Sequence, residues 1–301
     1  MDDCIFACLA PPGAGAREAL LLARSIRAFA GSLANNPVWV LIPQPERKLT
    51  PRIEAGFNSL KVRLIPFALS EEARAFPFAA KTFAAARAEV LAEDETSFLI
   101  WLDRDSIVVQ EPRALRLPRG KALGYRPVDH TLIGSPYHSP VDDFWDLIYR
   151  YCDVPAAKLF PMIASVDENK IRPYFNAGML VVRPERKVLQ AWAANFARLY
   201  RAPVFTQFYD VDILYRIFIH QAILTGTILS QVDHKELHEL PYRINYPLHM
   251  HNSYPADRRP VRINDLITCR YDTFFQDPSW ETVLTIDEPL KSWLMKQRQD
   301  N

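Results

Sequence analysis

Four short apolar runs, "CIFACLA", "PVWVLIP", "KVRLIPF" and "FLIWLD", punctuate the first hundred or so residues, with stretches of helical periodicity between them. Runs this short, bounded by proline or charge, read as strands buried on both faces rather than as helices. Between them, "AREALLLARSIRAFA" puts apolar residues at helical spacing with arginines on the other side. Residues 49–60 read as a second helix, and the alanine-rich "AAKTFAAARAEVLAE" as a third. Strand and helix alternating in this way predict an α/β fold, a mixed, mainly parallel Rossmann-like sheet flanked by helices.

After Pro112 the rhythm breaks. "KALGYRP" reads as a strand, and "DDFWDLIYRYC" as a helix capped by Asp142 or Asp143. "YFNAGMLVVRP" is a strand, and "VLQAWAANFARLY" and "DILYRIFIHQAIL" are helices. The proline-rich end is expected to hold shorter strands, "TILSQV" and "RINDLITC". With no repeat and no low-complexity linker, a single domain is expected over residues 1–275. Its two parts are 1–112 and 113–275, and 276–301 form a C-terminal tail.

Bulk composition narrows the function classes. A formal net charge of +1 over 301 residues offers no broad basic field, so nucleic acid is not an expected partner. The four cysteines are scattered, without zinc spacing or a disulfide framework. The acidic start "MDDCIFACLAPPG" does not resemble a signal peptide, and no segment reads as the roughly 20 apolar residues of a membrane span. A cytoplasmic protein is the expectation. With only 9 glycines, phosphate-cradling loops are scarce: no GxxxxGK[ST] is present. "CLAPPGAGAREALLLA" has Glu18 where a dinucleotide fingerprint needs its third glycine.

"FLIWLDRDSIVVQEP" places Asp103 and Asp105 where a buried strand ends. In an extended segment, residues two apart point the same way, about 6.6 Å apart at roughly 3.3 Å rise per residue. Two carboxylates held on one face repel unless a cation lies between them, and hard oxygen ligands suit Mg²⁺ or Mn²⁺. The structural alternative is that Asp103 ends a strand and Asp105 starts a turn. A second pair, "YDVD" with Asp210 and Asp212, precedes a strong helical pattern, so Asp212 reads as an N-cap rather than a ligand.

The strand-plus-DxD segment resembles that of GT-A nucleotide-diphospho-sugar glycosyltransferases. "YFNAGMLVV", about seventy residues later, resembles the FNAG element of glycosyltransferase family 8, the glycogenin and bacterial galactosyltransferase type. The likeness runs from Cys4 to about Phe275. It implies a nucleotide-binding half in 1–112 and a donor-sugar and acceptor half in 113–275. It implies metal-dependent, retaining transfer of a hexosyl-type sugar from a UDP-sugar to an unidentified acceptor, with Mn²⁺ or Mg²⁺ on Asp103 and Asp105. Asn176 would face the donor sugar, Gly178 would let the backbone pass close to it, and Lys81 would reach the nucleotide. In "LHMHNSYPADRRPV", His249 or His251 would be a third metal ligand, and Arg259 would stand for the family's phosphate-binding lysine. This segment lacks the family's glycine and tryptophan. "HQA" (His220, Gln221, Ala222) stands where the family tends to carry an acid-rich segment. The loop "RPVDHTLIGSPYHSPVDDFW" is expected over the site, with His130, Tyr137 and His138 as acceptor contacts. Two other readings stay open: a nucleotidyltransferase on a similar fold, and a non-catalytic nucleotide-sugar-binding protein.

Overall fold

The computed structural model describes residues 2–11, 13–44, 49–277 and 279–299. The strands are β1 (Asp2–Leu9), β2 (Val38–Gln44), β3 (Arg63–Ala68), β4 (Thr96–Leu102), β5 (Ser106–Val108), β6 (Leu123–Pro127), β7 (Met162–Ile163), β8 (Lys170–Ile171), β9 (Phe175–Val182), β10 (Leu237–Glu239), β11 (Tyr246–Pro247) and β12 (Thr268–Arg270). The helices are α1 (Ala14–Phe29), α2 (Pro51–Ser59), α3 (Glu71–Arg74), α4 (Ala79–Ala92), α5 (Asp143–Tyr151), α6 (Val188–Leu199), α7 (Pro203–Val211), α8 (Ile213–Gln231), α9 (Trp280–Val283) and α10 (Leu290–Gln299).

Seven strands form one sheet in the order β10-β6-β9-β4-β1-β2-β3. β1 pairs in parallel with both β2 and β4, and only β9 runs antiparallel to its neighbours β4 and β6. This is the mixed, mainly parallel sheet that the alternating pattern implies. Its strands alternate between two cores, as pleating requires. Ile5, Ala7, Leu9, Leu99 and Trp101 face the core shared with α4, α6 and α8. Cys4, Phe6, Cys8, Ile100 and Leu102 face the core shared with α1. All four cysteines are buried, and none forms a disulfide.

A smaller sheet, β11-β12-β5, holds the segment after the two aspartates against the end of the chain. β12 runs antiparallel to β5, with Arg270 opposite Ser106. Residues 276–301, set apart in the sequence as a tail, contribute Trp280, Leu290 and Leu294 to a third core with Ile107 and Cys269. Asp142 caps α5, its carboxylate accepting from the Trp145 N–H at 2.9 Å. Asp212 caps α8, accepting from the Leu214 N–H at 2.8 Å.

Three expectations are corrected. "TILSQV" is not a strand but the last turns of α8, because its apolar residues continue the buried face that begins at Ile219. "RINDLITC" opens with a 3-10 turn at Ile263–Asp265, and only its end becomes β12. Ile213–Gln231, 19 residues, is long and apolar enough to cross a membrane, with a mean hydropathy of 1.3 over an 18-residue stretch, although no such segment was expected. More than half of it is buried inside the protein, against α6, α7 and β9, as a core helix is.

One carboxylate couples two helices. Glu89 on α4 is buried, and its Oε2 accepts from the Gln190 N–H in the first turn of α6 at 2.8 Å, while its Oε1 has no partner. Burial pushes its pKa up to about 7 from 4.5, partly offset by the Gln190 and Leu189 N–H groups. A carboxyl raised in the folded state binds its proton more tightly there than in the unfolded chain. Its contribution is therefore full below about pH 4.5 and is lost as pH rises through about 7. Urea unfolding at pH 5 and pH 8 is expected to show a loss on the order of 3 kcal/mol from this group. Glu89→Gln should flatten that dependence.

Candidate functional site

At the carboxyl end of β4 the backbone leaves the sheet in a turn. The Asp103 N–H donates to the Gly178 carbonyl at 2.7 Å, and the Ser106 N–H donates to the Asp103 carbonyl at 3.1 Å. The two aspartates therefore share a site because the chain turns between them. An extended segment, as the spacing argument assumed, does not run through them. The bond to Gly178 ties the DxD segment to the FNAG strand. β9 shifts its register against β6 between the Tyr125 and Pro127 pairings, along the stretch that holds Asn176 and Gly178.

Around this junction opens a cleft of about 420 Å³. Asp103, Asp105, Lys81, Asn176, Gly178, His220, Gln221 and His249 line it, joined by Glu18, Phe78, Asp129, His130, Arg270 and Asp272. Lys81, in the first turn of α4, puts Nζ 2.7 and 2.8 Å from the two carboxylate oxygens of Asp103. Asn176 accepts from the Gly178 N–H at 2.8 Å and donates to Asp129 at 3.3 Å. It combines the turn-type bond to its own backbone with a place on the cleft wall. Gln221 accepts from the Ala177 N–H at 2.9 Å, fixing the same strand from α8. His220 is held neutral, its pKa well below 6.5 through burial and the nearby Lys81.

Two expected residues do not reach the acids. Arg259 donates to the carbonyls of Asn252 and Tyr254, and its guanidinium lies outside the cleft wall. His251 bonds the Tyr246 hydroxyl through Nδ1 at 3.0 Å and faces a separate hollow. Of the two late histidines, His249 lines the cleft. Burial first, then Arg270, lowers its pKa, and its Nδ1 is buried without a partner. Of the loop residues, His130 reaches the cleft wall, while Tyr137 and His138 do not.

Besides Lys81, a cation that the sequence did not single out reaches the acids: Arg270, at the end of β12. Its Nη2 donates to Asp129 at 2.8 Å. Burial opposes its charge, but Asp129, Asp105, Asp103 and Asp272 more than offset that and raise its pKa. Asp105 is pushed up to about 6 from 3.8 by burial and by Asp103, with Arg270 and Lys81 working the other way. Reading the sequence missed Arg270 because one arginine after "LITC" looks like any strand end. Only its pairing opposite Ser106 brings it beside the aspartates.

These residues do not fit the expected Mn²⁺ or Mg²⁺. Both oxygens of Asp103 face the Lys81 ammonium, and the guanidinium of Arg270 stands in the field of Asp103 and Asp105. Among the described residues, no group of three or more His, Cys, Asp or Glu side chains is arranged to hold a metal ion.

Gly178 is held to its size by this packing. A Cβ there would lie 2.9 Å from Asp103 Oδ2, 2.9 Å from Asn176 Oδ1 and 3.2 Å from an Arg270 amino nitrogen. Gly178→Ala is expected to lower stability by roughly 1–3 kcal/mol, as overpacking does, measurable by urea unfolding. It should also push Asp103 and Asn176 apart.

The fold recurs in solved enzymes. The galactosyltransferase LgtC, solved with donor and acceptor sugar analogues, is 14% identical, with a TM-score of 0.50 over 89% of this chain and 86% of that one. The bifunctional glycosyltransferase WbbM is also 14% identical, with a TM-score of 0.50 over 90% of this chain and 46% of that one. Mouse xyloside xylosyltransferase 1 is 14% identical over 82% of this chain and 88% of that one, with a TM-score of 0.46. No curated protein matches the sequence. Residues 6–211, more than half of the chain, match the Rhodobacterales glycosyltransferase domain. On a GT-A fold, this chain belongs to the Rhodobacterales glycosyltransferase family.

Proposed function

We propose that the cleft binds a nucleotide-diphosphate sugar, with a UDP-sugar favoured, and transfers its sugar to an acceptor with the anomeric configuration retained. The observation that carries the reading is the convergence at one strand end of Asp103, Asp105, Asn176 and Gly178 with Lys81 and Arg270. Ligands of open α/β sheets bind outside the carboxyl ends of the strands. The cleft volume, about 420 Å³, falls within the roughly 300–1,000 Å³ of small-molecule sites. The stereochemistry rests on the resemblance to family 8.

In the transfer, the bond from the anomeric carbon to the diphosphate oxygen breaks, and the diphosphate leaves with the electron pair. A bond from an acceptor hydroxyl oxygen to that carbon forms, and the hydroxyl proton is released. Negative charge grows on the leaving group, so fixed cations beside it stabilise the transition state more than the ground state. Lys81 and Arg270 are the cations of this wall nearest the aspartates. Asn176, fixed by Gly178 and Asp129, would orient the sugar. Phe78 stacks on the neutral ring of His220 at 4.5 Å and lines the cleft.

Release of UDP from UDP-sugars, with GDP- and ADP-sugars alongside, should be measurable as slow hydrolysis without acceptor. Asn176→Ala and Lys81→Ala should each lower that rate by about 10²-fold or more, as loss of a fixed electrostatic contact does. Proton NMR of the released sugar reports its anomeric configuration. A protein that neither binds nor cleaves any nucleotide sugar would refute the reading.

A further inference from the structure

We infer that Arg270 and Lys81 take the place of a divalent ion, so that this protein holds the donor diphosphate without metal. The inference rests on the nucleotide-sugar reading of the cleft.

Arg270 is placed by the fold and not by a mobile loop. It ends β12, whose pairing to β5 fixes it opposite Ser106, one residue beyond Asp105. Cys269 beside it is fully buried in the third core. The guanidinium is thus built onto the same small sheet that carries the chain out of the DxD turn. Its side chain is only 15% exposed. A charge that deep is costly unless paired. The carboxylates of Asp129, Asp105, Asp103 and Asp272 supply the compensation.

The cation's donors are not all engaged. Nη2 is bonded to Asp129, whereas Nε is buried with no partner. A guanidinium presents five donors in a fork that matches phosphate oxygens bidentately. Nε is buried away from the cleft opening, so an arriving diphosphate would take the other amino nitrogen while the Asp129 pair stays in place. Lys81 bonds both oxygens of Asp103, its ammonium over the Phe78 ring at 5.0 Å from the centroid. Two protein cations thus already act on Asp103, the acid expected to hold an ion. Such an ion would meet an ammonium already bonded to both oxygens of its ligand.

Calorimetric titration with UDP, GDP, ADP and CDP, in excess EDTA and separately with MnCl₂, tests this on the intact chain. The wild-type protein should bind at least one of them in EDTA, with a Kd within about threefold of that in MnCl₂. Arg270→Ala should weaken this binding by about tenfold or more, and Arg270→Lys by less. MnCl₂ alone should give no saturable heat. Binding that requires Mn²⁺ overturns the inference and leaves the nucleotide-sugar reading standing. Absence of nucleotide binding in both buffers overturns both. Arg270→Ala with wild-type affinity, in a protein whose circular dichroism shows it folded, also overturns the inference. The wild-type comparison decides the question even if Arg270→Ala does not fold.

Discussion

The hydrogen bond from the Asp103 N–H to the Gly178 carbonyl, 2.7 Å long, joins two segments that are remote in the chain. It continues the antiparallel pairing of β4 with β9 one step past the end of the ladder at Leu102 and Met179. Everything chemical in the cleft is referred to it. Asp103 turns its carboxylate toward Lys81, and Asn176 clamps the N–H of the same glycine, Gly178. Without a Cβ at 178, Asp103, Asn176 and Arg270 can approach one point to within 3.2 Å. The glycine matters here for the room it leaves, not for an unusual backbone angle.

How much of this the sequence discloses depends on whether the controlling contacts are local. Strands β1 to β4 were legible because parallel strands buried on both faces must be short, apolar and separated by amphipathic helices. The capping role of Asp212 was legible because an acid before a helical pattern has one common local explanation. "TILSQV" was not, since six residues with β-branched members carry no period long enough to separate a strand from the end of a buried helix. At the site, Asp103, Asp105, Asn176, Gly178 and Lys81 were found from motif resemblance and position. Arg270 and Asp129 were not. Their meaning comes from the β12–β5 pairing and from the departure of β9 from β6, neither of which has a local signature.

The same distinction explains the misplaced basic residue. Arg259 was expected, from the resemblance to family 8, to stand for a phosphate-binding lysine, but the loop that carries it folds back on itself. Its guanidinium closes the carbonyls of Asn252 and Tyr254. The chain then continues through the Ile263–Asp265 turn and returns along β12, delivering a different arginine to the acids. The fold thus brings Arg270, and not Arg259, beside the acids.

This arrangement changes what the carboxylates are for. In a site that recruits an ion, acids exist to be ligands and must be free of other cations. Here Asp103 is bonded to Lys81, and Asp129 to Arg270. Glu18 accepts from Arg104 at 2.5 Å. Each cation comes from a different element, and each is held in place before any ligand arrives. Fixed charges of this kind need no reorganisation as a leaving group becomes more negative, which is where electrostatic catalysis gains most. The cost is the desolvation of a buried guanidinium, which the surrounding acids offset. On this account the aspartates support the arginine, and the arginine, with Lys81, supports the diphosphate.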